Sequence, residues 1–130
     1  MRSFHSYTQT ITTNGSGAAT VYFGSSITGR VVAIKYEPGS SQLATGSDLT
    51  ITGETSGVPI LAKTDAGTAT VWYFPKTAVT EASDASAATD AFTDIYVFAE
   101  RIKLVLAQGG DTKTGSMTIY TEEGCTYSSL

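Results

Sequence analysis

His5 and Cys125 are the only histidine and the only cysteine in this 130-residue chain, so bases and thiols are scarce. Acyl transfer needs a nucleophile, a base and a group that orients the base. With His5 alone in an N-terminal segment, a Ser-His-Asp arrangement has no base to build on, and Cys125 has none beside it in sequence. A lone cysteine also excludes an intrachain disulfide and a structural zinc site made by this chain alone; Cys125 reads as a small residue in a tail. Glu37, Asp48, Glu54, Asp65, Glu100, Glu122 and Glu123 are the candidates for a carboxylate pair that hydrolyses glycosides. Most of them stand beside turn residues, where solvation alone accounts for an acid. Asp84, Asp90 and Asp94 share one stretch and could gather a calcium ion, but their spacing follows no known calcium loop. No nucleophile elbow, phosphate-loop or dinucleotide-binding glycine signature occurs. The expectation is therefore a protein that is not an enzyme, with no catalytic residue, no cofactor and no metal.

Aromatic residues offer a different chemistry, that of contact. Trp72, Tyr73 and Phe74 are consecutive, and side chains so large close a core or anchor an interface. Exposed Trp72, Tyr73 and Tyr96 would instead make stacking platforms for a carbohydrate. Burial or a subunit contact is the plainer reading of the same residues.

The elements that must position these residues read as short strands. Segments 31–36, 49–52, 70–74, 102–107 and 117–120 are apolar or alternating, and NGSG, EPGSS, ATGSD, TDAG and QGGDTKTG between them are turns by composition. Segment 7–13 is a further strand, and Asn14-Gly15 predicts a hairpin that returns over 18–23. The same residues with Ser16 form a glycosylation sequon, but the turn reading prevails in the absence of a secretion signal. A second turn is expected at 24–26. Leu49 and Ile51 should point inward with Thr50 and Thr52 outward; Ile102, Leu104 and Leu106 should share one face. Pro59 places 58–62 at an edge or bend. Residues 77–92 lack any strand rhythm and read as a long contact loop, of the kind that is often functional. Residues 1–6 read as a loose arm and 123–130 as a polar tail. Eight or nine short strands without a helix predict an all-β single domain over 1–130, a β-sandwich or jelly-roll-like fold. The expected interface residues are Trp72, Tyr73, Phe74, Thr77, Asp84, Asp90 and Phe92.

Composition bounds the partners. Charged residues make up 15% of the chain, against about 25% in ordinary soluble proteins, and Ser, Thr and Gly fill the difference. Such a surface can lie against a neighbour with little charge desolvation. Net charge is −4 and the cations are scattered singly, which disfavours nucleic acid. No apolar run approaches a membrane span, and the N-terminus carries no apolar signal-peptide core.

Two pieces, ITGRVVAIKYEPGSSQLATGSDLTITGETSGVPIL and ERIKLVLAQGGDTKTGSMTIYTE, carry a resemblance. A glycine-bounded alternating strand (29–39) ends in Pro-Gly, a D-L-T-I strand (48–51) follows after a short gap, and a strand from Lys113 to Glu122 closes the chain. In these elements, about two thirds of the chain, it resembles small structural proteins of tailed-bacteriophage virions. The resemblance implies a β-sandwich located in the virion and assembled in the cytoplasm of a bacterial host. It implies a capsid decoration (cement) protein or a connector or fibre adaptor, with the major capsid protein or neighbouring virion proteins as partners and homo-oligomers as the working form. It carries over no functional residue. A carbohydrate-binding module remains the alternative from another class.

Overall fold

The computed structural model describes residues 2–124. Nine strands follow in chain order: β1 (Arg2–Thr12), β2 (Ala19–Pro38), β3 (Asp48–Gly53), β4 (Pro59–Lys63), β5 (Val71–Tyr73), β6 (Thr77–Thr80), β7 (Ala87–Thr93), β8 (Tyr96–Ala107) and β9 (Thr114–Gly124). The described residues contain no helix, and the fold is all-β, as the turn-punctuated sequence predicts. Seven strands form one antiparallel sheet in the order β1-β9-β2-β8-β3-β4, with β5 added to β2; β6 and β7 form a separate ribbon.

The long sheet is folded at β2. Its first part, Ala19 to Phe23, pairs with Leu106 to Ile102 of β8. Its second part, Gly29 to Pro38, pairs with β9, and Ile34 to Tyr36 pair with β5 on the other side. Register shifts lie between Phe23, Ile27 and Gly29, and Gly24 sits there at φ 73°, where a Cβ would stand 2.6 Å from Ile27 Cδ1. Bulges of this kind bend a strand and raise its twist. One leaf is thus β1-β9-β2-β5 and the other β2-β8-β3-β4, in the manner of a β-sandwich. The turn expected at 24–26 is this bend, through which the strand continues.

Inward residues of both leaves form the core. Phe23, Ile27, Ile34 and Tyr36 come from β2, Leu49 and Ile51 from β3, Ile102, Leu104 and Leu106 from β8, and Met117 and Ile119 from β9, all essentially without solvent contact. The alternation in β3 and β8 follows the sequence expectation. In β2 it slips at a second bulge between Val31 and Ala33, so that Val31, Ala33, Ile34 and Tyr36 are buried while Val32 is not. Pro59 begins β4, which closes one edge of the sheet.

Four expectations are corrected. Residues 2–6 are not a loose arm but the start of β1, in unbroken register with β9 from Arg2↔Gly124 to Thr12↔Thr114. Glu123 and Gly124 likewise belong to β9; the remainder of the expected tail, with Cys125, lies outside the described residues. The Asn14-Gly15 turn forms, with Asn14 Oδ1 accepting from Ser16 N and Ala18 N at 3.0 Å, but β1 and β2 do not pair as a hairpin. β9 lies between them, and the turn carries the chain from one leaf to the other. Finally, 77–92 is not a loop. Thr77 pairs with Thr93 and Thr80 with Ala87, and Glu81 N donates to Ser86 O at 2.8 Å in the turn. This ribbon has no buried face, so its sequence has no hydrophobic alternation to betray it.

Gly29 lies beside the bend, and a Cβ there would run into the Glu122 carbonyl oxygen of the paired strand. Because that neighbour is backbone, Gly29→Ala is expected to cost about 1–3 kcal/mol in urea unfolding. Gly46→Ala, whose Cβ would meet only Asp65 Oδ1 at 3.6 Å, is expected to stay within about 0.5 kcal/mol.

Candidate interaction surfaces

β5 is three residues long, and its pairing with β2 decides which aromatic faces where. Tyr73 opposes Ile34 and packs against the core, whereas Trp72 opposes Lys35. Trp72 and Phe74 therefore point out of the leaf, 45% and 67% exposed. Their rings are 6.2 Å apart and nearly parallel, at 10°. On the other side Trp72 stacks on Tyr120 of β9 at 5.5 Å and 22°. Lys35 Nζ lies 5.4 Å from the centre of the Trp72 ring, a cation–π contact. The result is a row of three rings, Phe74–Trp72–Tyr120, across the outside of one leaf. Tyr120 was not among the expected residues, although the inward Met117 and Ile119 on either side of Thr118 already place it on the outer face.

The platform of Trp72, Tyr73 and Tyr96 does not assemble. Tyr73 faces the core, the Trp72 ring is engaged by Lys35 and its aromatic neighbours, and Tyr96 lines a different feature. That feature is a largely apolar groove of about 230 Å³ bounded by Val58, Pro59, Thr77, Asp94, Ile95, Tyr96 and Phe98. Phe98 is 62% exposed, and Phe92, paired with Ala78 in the ribbon, is 64% exposed. Of the expected interface residues, Trp72 and Phe74 meet on one surface and Thr77 borders the second. Phe92 stands on the exposed ribbon joined to it.

Most acids that were candidates for chemistry have structural partners. Asp84 Oδ1 accepts from Ser86 N at 3.0 Å and Ser86 Oγ at 2.7 Å in the β6–β7 turn. Asp94 pairs with Lys76 and, at 3.7 Å, with Arg30. Asp90 stands in β7 with a left-handed backbone, φ 58°. No group of three or more potential metal ligands occurs among the described residues. Glu54 is held by Arg101, Glu122 by Arg30 at 3.0 Å, and Glu37 by Lys35 at 3.6 Å. Asp48 Oδ1 accepts from Asp65 N. Glu123 Oε2 accepts from Tyr7 Oη at 2.6 Å and Thr121 Oγ1 at 2.7 Å. Burial and the Glu123 carboxylate push the Tyr7 hydroxyl up to about 12. His5 is within 3.0 Å of Ser3 Oγ and stacks on Tyr7.

Glu100 is the one buried acid among the described residues. Its carboxylate accepts from Thr55 N, Ser56 N and Ser56 Oγ, all at 2.7 Å, and from Phe98 N at 3.4 Å. Ala99, in left-handed backbone at φ 51°, turns Glu100 inward, and the side chain fastens the β3–β4 turn to β8. The Ser56 N–H and hydroxyl, joined by the Thr55 N–H, hold this carboxyl below its usual range despite burial.

No family model and no curated protein matches the chain. Among solved structures it is similar to the crystal structure of dimeric latent PorU from Porphyromonas gingivalis, at 8% identity and a TM-score of 0.43. The match spans 97% of this chain and 13% of that one.

A carboxyl stabilised in its ionised form contributes stability above its unfolded pKa, and that stability is lost as pH falls through its folded value. Glu100→Gln replaces one acceptor oxygen with an NH2 group that must face either the Thr55 and Ser56 amides or the Ser56 hydroxyl and the Phe98 amide. It is expected to cost about 1–3 kcal/mol at neutral pH. The variant's stability should also decline less steeply than the wild type's below about pH 4.5, measured by urea unfolding across the acid range.

Proposed function

We propose that this chain is a non-enzymatic structural protein of a tailed-phage particle, a capsid decoration protein that binds the lattice of the major capsid protein and stabilises it. The observation that carries the reading is the aromatic row Phe74–Trp72–Tyr120, set on the outside of a rigid leaf with a second apolar surface at the Phe98 groove. Exposed apolar patches of this kind mark contact with other macromolecules. A component of a lattice touches more than one neighbour, and two separate patches suit that. The hydroxyl-rich, sparsely charged surface supports the same reading, because little charge must be desolvated when it is covered. So does the engagement of most of the acids in turns and ion pairs, which leaves the two surfaces as the prominent features. Stabilisation follows from mass action: a partner that binds only the assembled shell lowers the shell's free energy.

The sequence resemblance points to the same class and includes connectors and fibre adaptors, which differ from a decoration protein in copy number. Quantitative mass spectrometry of purified particles against the major capsid protein is expected to give a ratio near the lattice number, on the order of hundreds of copies. About six to twelve copies would assign the chain to a ring at the portal or tail, where cyclic symmetry limits the number. Absence from particles would remove both roles. In the decoration case, Trp72→Ala combined with Phe74→Ala is expected to weaken shell binding by at least about tenfold, with far-UV circular dichroism unchanged.

A further inference from the structure

We propose that the outer edge of β1 pairs with the same edge of a second copy of this chain, joining two molecules into a closed two-fold dimer through one continuous sheet. β1 is eleven residues long and pairs with β9 in an unbroken register. Among the described residues nothing pairs with its other side. Alternate residues of such an edge present unpaired N–H and C=O groups, and proteins usually protect edges with proline, lysine, bulges or shortness. The opposite edge of the same sheet has all four devices. β4 is five residues long, begins at Pro59, ends at Lys63, and its pairing with β3 is bulged between Ile51 and Thr52. β1 has none of them.

Charge and symmetry point to a second copy as the occupant. The chain has 12 acidic residues and a net charge of −4, yet β1 holds no acid, and Arg2 and His5 are its only basic residues. In an antiparallel pair, residues directly opposite must both point their backbone groups inward or both outward, so a two-fold axis between two copies passes through a residue. Centred on Tyr7, the axis uses the whole strand: Arg2 faces Thr12, Phe4 faces Thr10, His5 faces Gln9 and Ser6 faces Thr8. No like charges meet. Phe4, 70% exposed on the outer face, would be covered in part by the partner's Thr10. Because each copy contributes its only β1 edge, the contact closes as a dimer and does not propagate into a filament. This dimer does not rest on the proposed role in a particle.

Sedimentation velocity of the purified chain tests the pairing. At about 100 μM the wild type is expected to sediment as a dimer. Ser6 and Thr8 are exposed and face each other across the axis, so Ser6→Lys with Thr8→Lys sets like charges directly opposite. That variant is expected to lose at least tenfold in dimer affinity, as is Ser6→Glu with Thr8→Glu. An equimolar mixture of the two is expected to recover a one-to-one dimer, which a folding defect could not produce. Hydrogen exchange on the wild type gives a reading without mutation: β1 amides should slow as concentration crosses the dimer transition. A monomeric wild type at about 1 mM, dimers insensitive to both charge variants, or β1 exchange independent of concentration would each overturn the proposal.

Discussion

The structure depends on one strand serving two leaves. β2 pairs with β8 at its beginning and with β9 and β5 at its end, so neither leaf is complete without it. A flat strand of that length would leave its inner face half uncovered. The bend between Phe23 and Gly29 turns the strand over the core and brings Phe23 and Ile34 into one apolar interior. Glycine meets two separate needs there: Gly24 adopts a positive φ, and Gly29 lets the β9 backbone approach closely. With the bend in place, β9 falls between β1 and β2, and β1 becomes an edge.

Polar anchoring reinforces the second leaf at its weakest point. The β3–β4 turn lies next to a bulged edge strand and is exposed on one side. Glu100 reaches it from β8 and accepts from the Thr55 and Ser56 amides and the Ser56 hydroxyl, which would otherwise need partners of their own. Burying a carboxylate is costly unless several donors meet it, and here they do. The adjacent Arg101–Glu54 ion pair is half exposed and screened by solvent, and Arg101 also stacks on Tyr22 with its guanidinium carbon 4.0 Å from the ring centre. The buried acceptor therefore contributes more than the surface pair to holding the turn.

Where burial imposed a period, the strands were legible in sequence. Leu49 and Ile51, then Ile102, Leu104 and Leu106, alternate because one face of each strand meets the core, and Pro59 marked an edge for want of an N–H. The ribbon of β6 and β7 was illegible for the converse reason: it buries no face, so Thr, Ala and Asp serve in it as well as in a loop. The Asn14-Gly15 turn was legible, but the partner of the returning strand was not, since a turn sets local direction and not which strand lies alongside. Alternation alone puts Trp72 and Phe74 on one face and Tyr73 on the other. Which face is the core depends on the opposing Ile34 and Lys35, which are distant in sequence. The arm at 2–6 failed similarly, because Phe4, His5 and Ser6 stay exposed when only β9 on one side orders them.

Ionisable groups and large rings are used in opposite ways in this fold. Catalysis needs titratable groups brought together in a cleft, with their proton affinities moved toward neutrality. Here the shifts run the other way: Glu54, Asp84, Asp94 and Glu100 are all held further below neutral pH, and Tyr7 further above it. Each is fixed in one protonation state by a structural partner, which is how ionisable groups are used to set shape. The large rings are treated differently. Trp72, Phe74, Phe92 and Phe98 remain in solvent although the core is closed. Two of them, Trp72 and Phe74, stack in a row with Tyr120 that runs across to β9 on the outer face of that leaf. Rings held in place by their neighbours lose little side-chain entropy on association.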